Sequence, residues 1–266
     1  MKGILLFLVG LTLLSSCNGY NKVIKSDDYT LKFETANALY DEESYARSIV
    51  LYEQIYQRYP KTNQGEVAYY RIGKSYYNVE DYYMAGYYLG AYSARFPFST
   101  KAEEALFLSA LCSVQNSPEP SLDPNDTELA IRDLQSFIDR YPNSTLVDSC
   151  NQTIDELRYK LEVKDFEALK HYSKTEYYRA AVVSANSFLE SYPLTAFKEE
   201  VMYLLVKNSY LLAINSVEEK KKERIEESIQ RYRTFVTEFA QTEYKREVDI
   251  FRDDLEKALQ KINQGK

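Results

Sequence analysis

Few residues in this chain could do covalent or metal chemistry. Its 266 residues hold three cysteines, Cys17, Cys112 and Cys150, and a single histidine, His171. No CxxC pair occurs, and one histidine cannot build a His-based metal cluster or a catalytic pair. There is no GxGxxG, phosphate-loop or GxSxG motif. Carboxylates are abundant but scattered along helix faces, where solvation or ion pairing is their ordinary role. One thiol stands apart. Cys17 ends the stretch LLFLVGLTLLSSC, with Lys2 before the apolar run and Ser15 and Ser16 just before the cysteine. The apolar core, Ile4 to Leu14, is about half the length that a transmembrane helix needs, about 20 residues. Leu14-Ser15-Ser16-Cys17 resembles the bacterial lipobox, in which the sulfur takes a diacylglycerol thioether and the cysteine becomes the first residue. Two or more acyl chains give stable attachment to a bilayer where one does not. The competing reading is a plain secreted chain with a chance cysteine. Residues 1–16 are therefore expected to be a lipoprotein signal peptide, 17–27 a flexible tether, and Cys17 the lipidation site. No cofactor is expected beyond that covalent lipid. Asn18 is not the aspartate associated with inner-membrane retention, which favours the outer membrane, facing the periplasm.

The elements that follow must therefore do their work by binding. Lysines and arginines number 33 against 40 acids, a net charge of −7, which argues against a nucleic-acid partner. Removing residues 1–16 takes away Lys2 and no acid. There are 26 tyrosines, no tryptophan and only eight glycines, in long stretches rich in Ala, Leu, Glu, Lys and Tyr. Such a composition favours helix, and the length calls for two domains or a solenoid.

Five strings recur: QRYPKT (57–62), ARFPFS (94–99), DRYPNS (139–144), ESYPLT (190–195) and TEFAQT (237–242). With the Pro or Ala as position zero, the register extends backwards. At −1 stand Tyr59, Phe96, Tyr141, Tyr192 and Phe239. At −5 stand Ile55, Tyr92, Phe137, Phe188 and Phe235. At −8 stand Tyr52, Leu89, Leu134, Ala185 and Tyr232, and at −12 the small Ser48, Ala85, Ala130, Ala181 and Ser228. Offsets of three and four place these on one helical stripe. Proline ends the helix by restricting the residue before it. The hydroxyls of Thr62, Ser99, Ser144, Thr195 and Thr242 are then expected to N-cap the next helix. Acids four residues further on, Glu66, Glu103, Asp148 and Glu199, favour its positive end.

The spacings of 37, 45, 51 and 47 residues exceed the ~34 of a tetratricopeptide repeat (TPR), whose small, aromatic and proline positions they otherwise match. The surplus falls in a Pro-rich loop, QNSPEPSLDPNDT (115–127), in an elongated helix over 145–172, and in a charged connector or helix start at 215–224. The fold class expected is all-α, a right-handed solenoid of about five TPR-like helix-turn-helix repeats over 28–263. The N-terminal repeats span about 28–142 and the C-terminal ones about 143–263. Stacked pairs share one core and leave a concave surface suited to extended chains or protein partners.

The second repeat is unusually aromatic. Tyr83, Tyr87 and Tyr88 lie off the core stripe, where the third repeat has Glu128, Arg132 and Asp133. Tyr69, Tyr70, Tyr76 and Tyr77 line the preceding helix on more than one face. Two readings compete: an aromatic groove for an apolar or aromatic-ended peptide, and packing between repeats. Cys112 and Cys150 read as small buried hydrophobes or as a disulfide in an oxidising compartment. His171, in LKHYSKTEYYRAAV, reads as a helix-end or packing residue, with a functional switch as the competing reading.

The lipobox, the five Y-P-x-S/T corners, LAIRDLQSFIDRYPNST in the third unit and HYSKTEYYRAAVVSANSFLESYP in the fourth together resemble the BamD family, from about Tyr29 to Glu247. These are lipoproteins of the outer-membrane β-barrel assembly machinery. The resemblance implies a non-enzymatic scaffold. Its C-terminal repeats would bind the periplasmic POTRA domains of the barrel-forming assembly protein. Its N-terminal repeats would receive unfolded outer-membrane proteins through a C-terminal signal ending in an aromatic residue. At the position of a family arginine used in partner contact this chain has Ser184, in AAVVSANSF, so that contact does not carry over. The tyrosine content also exceeds the family's. The alternative is another TPR lipoprotein, a cell-envelope scaffold or a glycan-binding accessory with exposed aromatic platforms flanked by carboxylates or amides.

Overall fold

A computed structural model describes residues 19–265, so the signal segment and the lipidation site at Cys17 lie outside the described residues. All regular structure among the described residues is helical. The chain divides into two compact units, the first ending at Leu157 and the second starting at Arg158.

The first unit holds α1 (Tyr29–Asp41), α2 (Tyr45–Arg58), α3 (Asn63–Asn78), α4 (Tyr82–Arg95), α5 (Ala102–Asn116), α6 (Asn125–Arg140) and the first part of α7 (Val147–Lys174). From α1 to α6 each helix packs on the next, and α1 also reaches α3. The second unit holds the rest of α7 with α8 (Tyr178–Ser191), α9 (Lys198–Ile214), α10 (Glu218–Glu238) and α11 (Lys245–Asn263). Here α9 packs on α8, α10 and α11, and α10 also packs on α11. These are TPR-like hairpins, and the stripe read from sequence is their core. Every residue at −12, −8 and −5 is buried, including Tyr52, Tyr92, Phe137, Phe188 and Phe235. Burying a large side chain of this kind stabilises by about 1.5–3 kcal/mol.

The corners work as the proline dictates. Tyr59, Phe96, Tyr141, Tyr192 and Phe239 leave helical geometry, with φ between −130° and −120° and ψ between 53° and 65°. Their carbonyls accept from the N–H three residues on, at Thr62, Ser99, Ser144, Thr195 and Thr242, closing a turn with Pro or Ala at its second position. The capping expectation is corrected here. Only Thr62 N-caps its helix, accepting from Gly65 N at 3.2 Å. The other four hydroxyls accept from the N–H two residues on and shape a lead-in turn before the helix proper. Gly65 lies so close to the first corner that a Cβ there would stand 1.9 Å from the Tyr59 carbonyl oxygen.

Inside three hairpins the turn uses a left-handed glutamate: Glu43, Glu80 and Glu176, at φ 59°, 62° and 63°. The following N–H of Ser44, Asp81 and Tyr177 reaches back five residues to the carbonyl of Leu39, Tyr76 and Tyr172. That is the six-to-one bond of a Schellman cap, whose left-handed position usually takes glycine.

The flexible tether expected over 17–27 is corrected over most of its described part. Residues 19–25 are helical, and Tyr20, Val23 and Ile24, on one face, pack against the core of the first hairpin. Tyr20 donates to the Arg47 carbonyl at 2.8 Å, and the Arg47 guanidinium lies 4.3 Å from its ring centre.

Candidate functional site

The tyrosines singled out on α3 and α4 fall into two groups. Tyr69 is buried beside Ala68 and Ile72 on the inward face of α3, and what it contributes to a contact surface is part of a cleft lining. Its ring packs 4.4 Å from that of Tyr56 and 5.2 Å from that of Tyr88. Tyr76 stacks on Tyr88 at 5.6 Å, Tyr70 packs on Tyr92 at 5.3 Å, and Tyr77 meets Tyr82 edge-on at 5.7 Å. These half-buried rings join α3 to α4. Tyr83 and Tyr87 remain, 69% and 63% exposed.

The buried phenols are held neutral. Burial, then the Glu53 carboxylate to which it donates at 3.3 Å, pushes Tyr88 up to about 12. Tyr92 is likewise pushed to about 12, chiefly by burial, and donates to Glu66 at 2.9 Å. Burial, then the neighbouring Glu104, raises Tyr70 as well. They act as donors that hold carboxylates, not as acids.

Tyr87 stands on the wall of two clefts. One, of about 300 Å³, is lined by Tyr56, Tyr69, Tyr87, Tyr88, Glu53 and Arg95, among others. Arg95 donates to the Tyr56 hydroxyl at 2.5 Å, with its guanidinium 5.1 Å from the Tyr69 ring centre. Aromatic walls with a cation at the rim suit a flat ring bearing a carboxylate. The other, of about 220 Å³, runs between α4 and α6.

Sequence reasoning missed a groove in the second unit, of about 710 Å³, lined by Tyr172, Tyr177, Tyr178, Val183, Ser184 and Leu212, among others. Val183 is 58% exposed. Counted from the corner proline, Val183 occupies in the fourth repeat the position of Tyr87 in the second, and Ser184 that of Tyr88. An apolar residue off the stripe at that register was the signal.

The two described cysteines are free and buried in different core clusters. Burial pushes the Cys112 thiol up to about 12 and raises that of Cys150, so both behave as small hydrophobes. His171 is exposed near the end of α7, where its carbonyl accepts from Thr175. Among the described residues no group of three or more His, Cys, Asp or Glu is placed to hold a metal ion, and no helix is long and apolar enough to cross a membrane.

Stacked helical hairpins with aromatic and apolar clefts between them define a TPR-like repeat protein, a class that presents surfaces to other chains. This chain belongs to the YfiO family of outer membrane lipoproteins, whose profile matches residues 26–223 and again 167–263. Residues 167–223 are matched in two registers, as a repeated unit allows. Among curated proteins it is 21% identical over 185 residues to the outer membrane protein assembly factor BamD of Caulobacter vibrioides. That match covers 70% of this chain and 61% of the relative. It is 24% identical over 244 residues to a protein of Aquifex aeolicus named "putative outer membrane protein assembly factor BamD", covering 91% of this chain and 79% of the relative.

Proposed function

We propose that this protein is a lipid-anchored periplasmic scaffold of the β-barrel assembly machinery. In this reading it is tethered to the outer membrane by acyl chains on Cys17 and helps unfolded outer-membrane proteins to fold and insert. It binds other polypeptides and transforms none of them. The observation that carries the reading is family membership across almost the whole chain, with two relatives named as assembly factors. The clefts supply a physical division of labour. The Tyr56–Tyr88–Arg95 cleft suits an aromatic chain end, with the ring between tyrosines and the terminal carboxylate on Arg95. The open groove around Tyr177, Val183 and Ser184 suits an apolar edge of a folded partner, the POTRA domains of the barrel-forming protein.

Purifying the full-length protein from detergent-extracted membranes tests this. A POTRA-containing barrel protein should copurify, and depletion should lower the folded barrel proteins of the outer membrane. Unchanged levels after depletion would overturn the role. Cys17→Ser should leave an unprocessed precursor; normal mature protein still fractionating with lipid would remove the anchor from the reading.

A further inference from the structure

The cleft between α4 and α6, floored by α5, has two unlike walls. On α4, Tyr83 and Tyr87 are one turn apart and largely exposed. On α6, Asp126 and Asp133 are seven residues apart, on one face and about 10 Å from each other along the axis. Leu129 lies between them, 42% exposed. Ser113 on the floor donates to Asp133 Oδ2 at 2.6 Å and fixes that carboxylate. No lysine or arginine lines the cleft. Arg132, the cation nearest in sequence, is turned to Glu128 at 3.7 Å.

We propose that this cleft docks a basic, extended segment of a partner polypeptide, with Lys or Arg side chains on Asp126 and Asp133 and an apolar residue against Leu129. In the extended polyproline II conformation three residues make one turn, which returns residues i and i+3 to the same face about 9 Å apart, close to the spacing of the two carboxylates. Tyr83 and Tyr87 line the same cleft, and aromatic rings attract a cation through the ring quadrupole. The net charge of −7 draws a basic segment in and repels an acidic one. A neutral glycan could stack on the rings but would leave both carboxylates uncompensated. The inference goes beyond the assembly role: it needs neither the lipid nor the Arg95 cleft.

The test uses full-length protein in detergent and a blocked fluorescent peptide, Gly-Lys-Leu-Ser-Lys-Leu-Gly, beside the same peptide with glutamine for lysine, followed by anisotropy at low ionic strength. The lysine peptide should bind at least tenfold more tightly, and added salt should erase most of that preference. Asp126→Asn with Asp133→Asn keeps the size and the acceptor for Ser113. It should abolish the preference without moving the melting temperature, while Arg95→Gln should leave the preference intact. Equal binding of the two peptides, no binding of either, a preference that survives the double asparagine variant, or tighter binding of a soluble muropeptide would each overturn the proposal.

Discussion

The second and fourth repeats build the same hairpin and offer different surfaces. Both turn through a left-handed glutamate, Glu80 in one and Glu176 in the other. Both put alanine at −12, Ala85 and Ala181, and an aromatic at −5, Tyr92 and Phe188, all buried. Off the stripe they part. Tyr83, Tyr87 and Tyr88 in α4 correspond to Arg179, Val183 and Ser184 in α8. Where the rings stand, the surface is cut into two narrow clefts of about 220 and 300 Å³ with Tyr87 as the wall between them. Where Val183 and Ser184 stand, one open apolar groove of about 710 Å³ remains. Core positions set the hairpin, and a few outward positions set what it can hold.

The comparison breaks hardest at a backbone contact. Gly65→Ala would push a methyl into the Tyr59 carbonyl, which cannot move without opening the first corner. We expect a loss of about 3 kcal/mol or more. Hydrogen exchange should show faster opening of α2 and α3 and unchanged protection of α9 and α10. Uniform loss across both units would mean that they do not respond separately. Swapping the outward residues sharpens the other half of the contrast. Tyr87→Val should merge the two clefts and weaken an aromatic-ended peptide about tenfold, roughly 1.4 kcal/mol. Because that ring is mostly exposed, thermal stability should change by less than about 1 kcal/mol. The reverse change, Val183→Tyr, should narrow the second groove and weaken the POTRA binding proposed above while sparing the peptide.

Much of this was legible because the corner proline fixes a register. Counting back from Pro60, Pro97, Pro142 and Pro193 finds three buried positions of the second helix in each pair, and leaves out only Ile49, Leu51, Ser93, Thr127 and Val182. The first helices have no such marker. Tyr69 therefore looked like one tyrosine among several, and its burial beside Ile72 became visible only once α3 was placed against α2 and α4. The groove in the second unit escaped because valine and serine are inconspicuous; the space left above them makes it. The hydroxyls were placed correctly but given the wrong task. All five corners close the same turn, but α3 begins one residue after Thr62 whereas α5, α7, α9 and α11 begin three residues after their hydroxyls, which therefore shape the intervening turn instead. Residues 19–25 were read as a tether, although Tyr20, Val23 and Ile24 already carry the spacing of a docked helix.

A smaller effect tests what the repeats share. A left-handed residue with a Cβ is disfavoured by about 1–2 kcal/mol, part of which glycine recovers before its own entropy cost in the unfolded chain. Glu80→Gly and Glu176→Gly should each stabilise by about 0.5–1 kcal/mol, and by similar amounts, read from chemical denaturation. If only one of them stabilises, the two turns are not equivalent.

The smallest expected effect concerns the last hairpin, where charge adds to packing. Lys245 donates to Asp249 at 2.5 and 2.6 Å, and the Tyr232 hydroxyl donates to it at 2.6 Å. The lysine, then the tyrosine, holds the Asp249 carboxyl below the ordinary carboxylate range against the opposing pull of burial. A folded pKa below the unfolded value means that the unfolded chain binds the proton more readily. The contribution is therefore complete above about pH 4–5 and disappears as pH falls through the folded value. With a side chain about a third exposed, Asp249 is screened by solvent. Asp249→Asn should lower the melting temperature by about 1–2 °C at neutral pH. The gap should stay level down to about pH 5 and close below about pH 4. A gap that widened on acidification would show that the aspartate is a burden the lysine merely tolerates, and that packing alone holds α11 to α10.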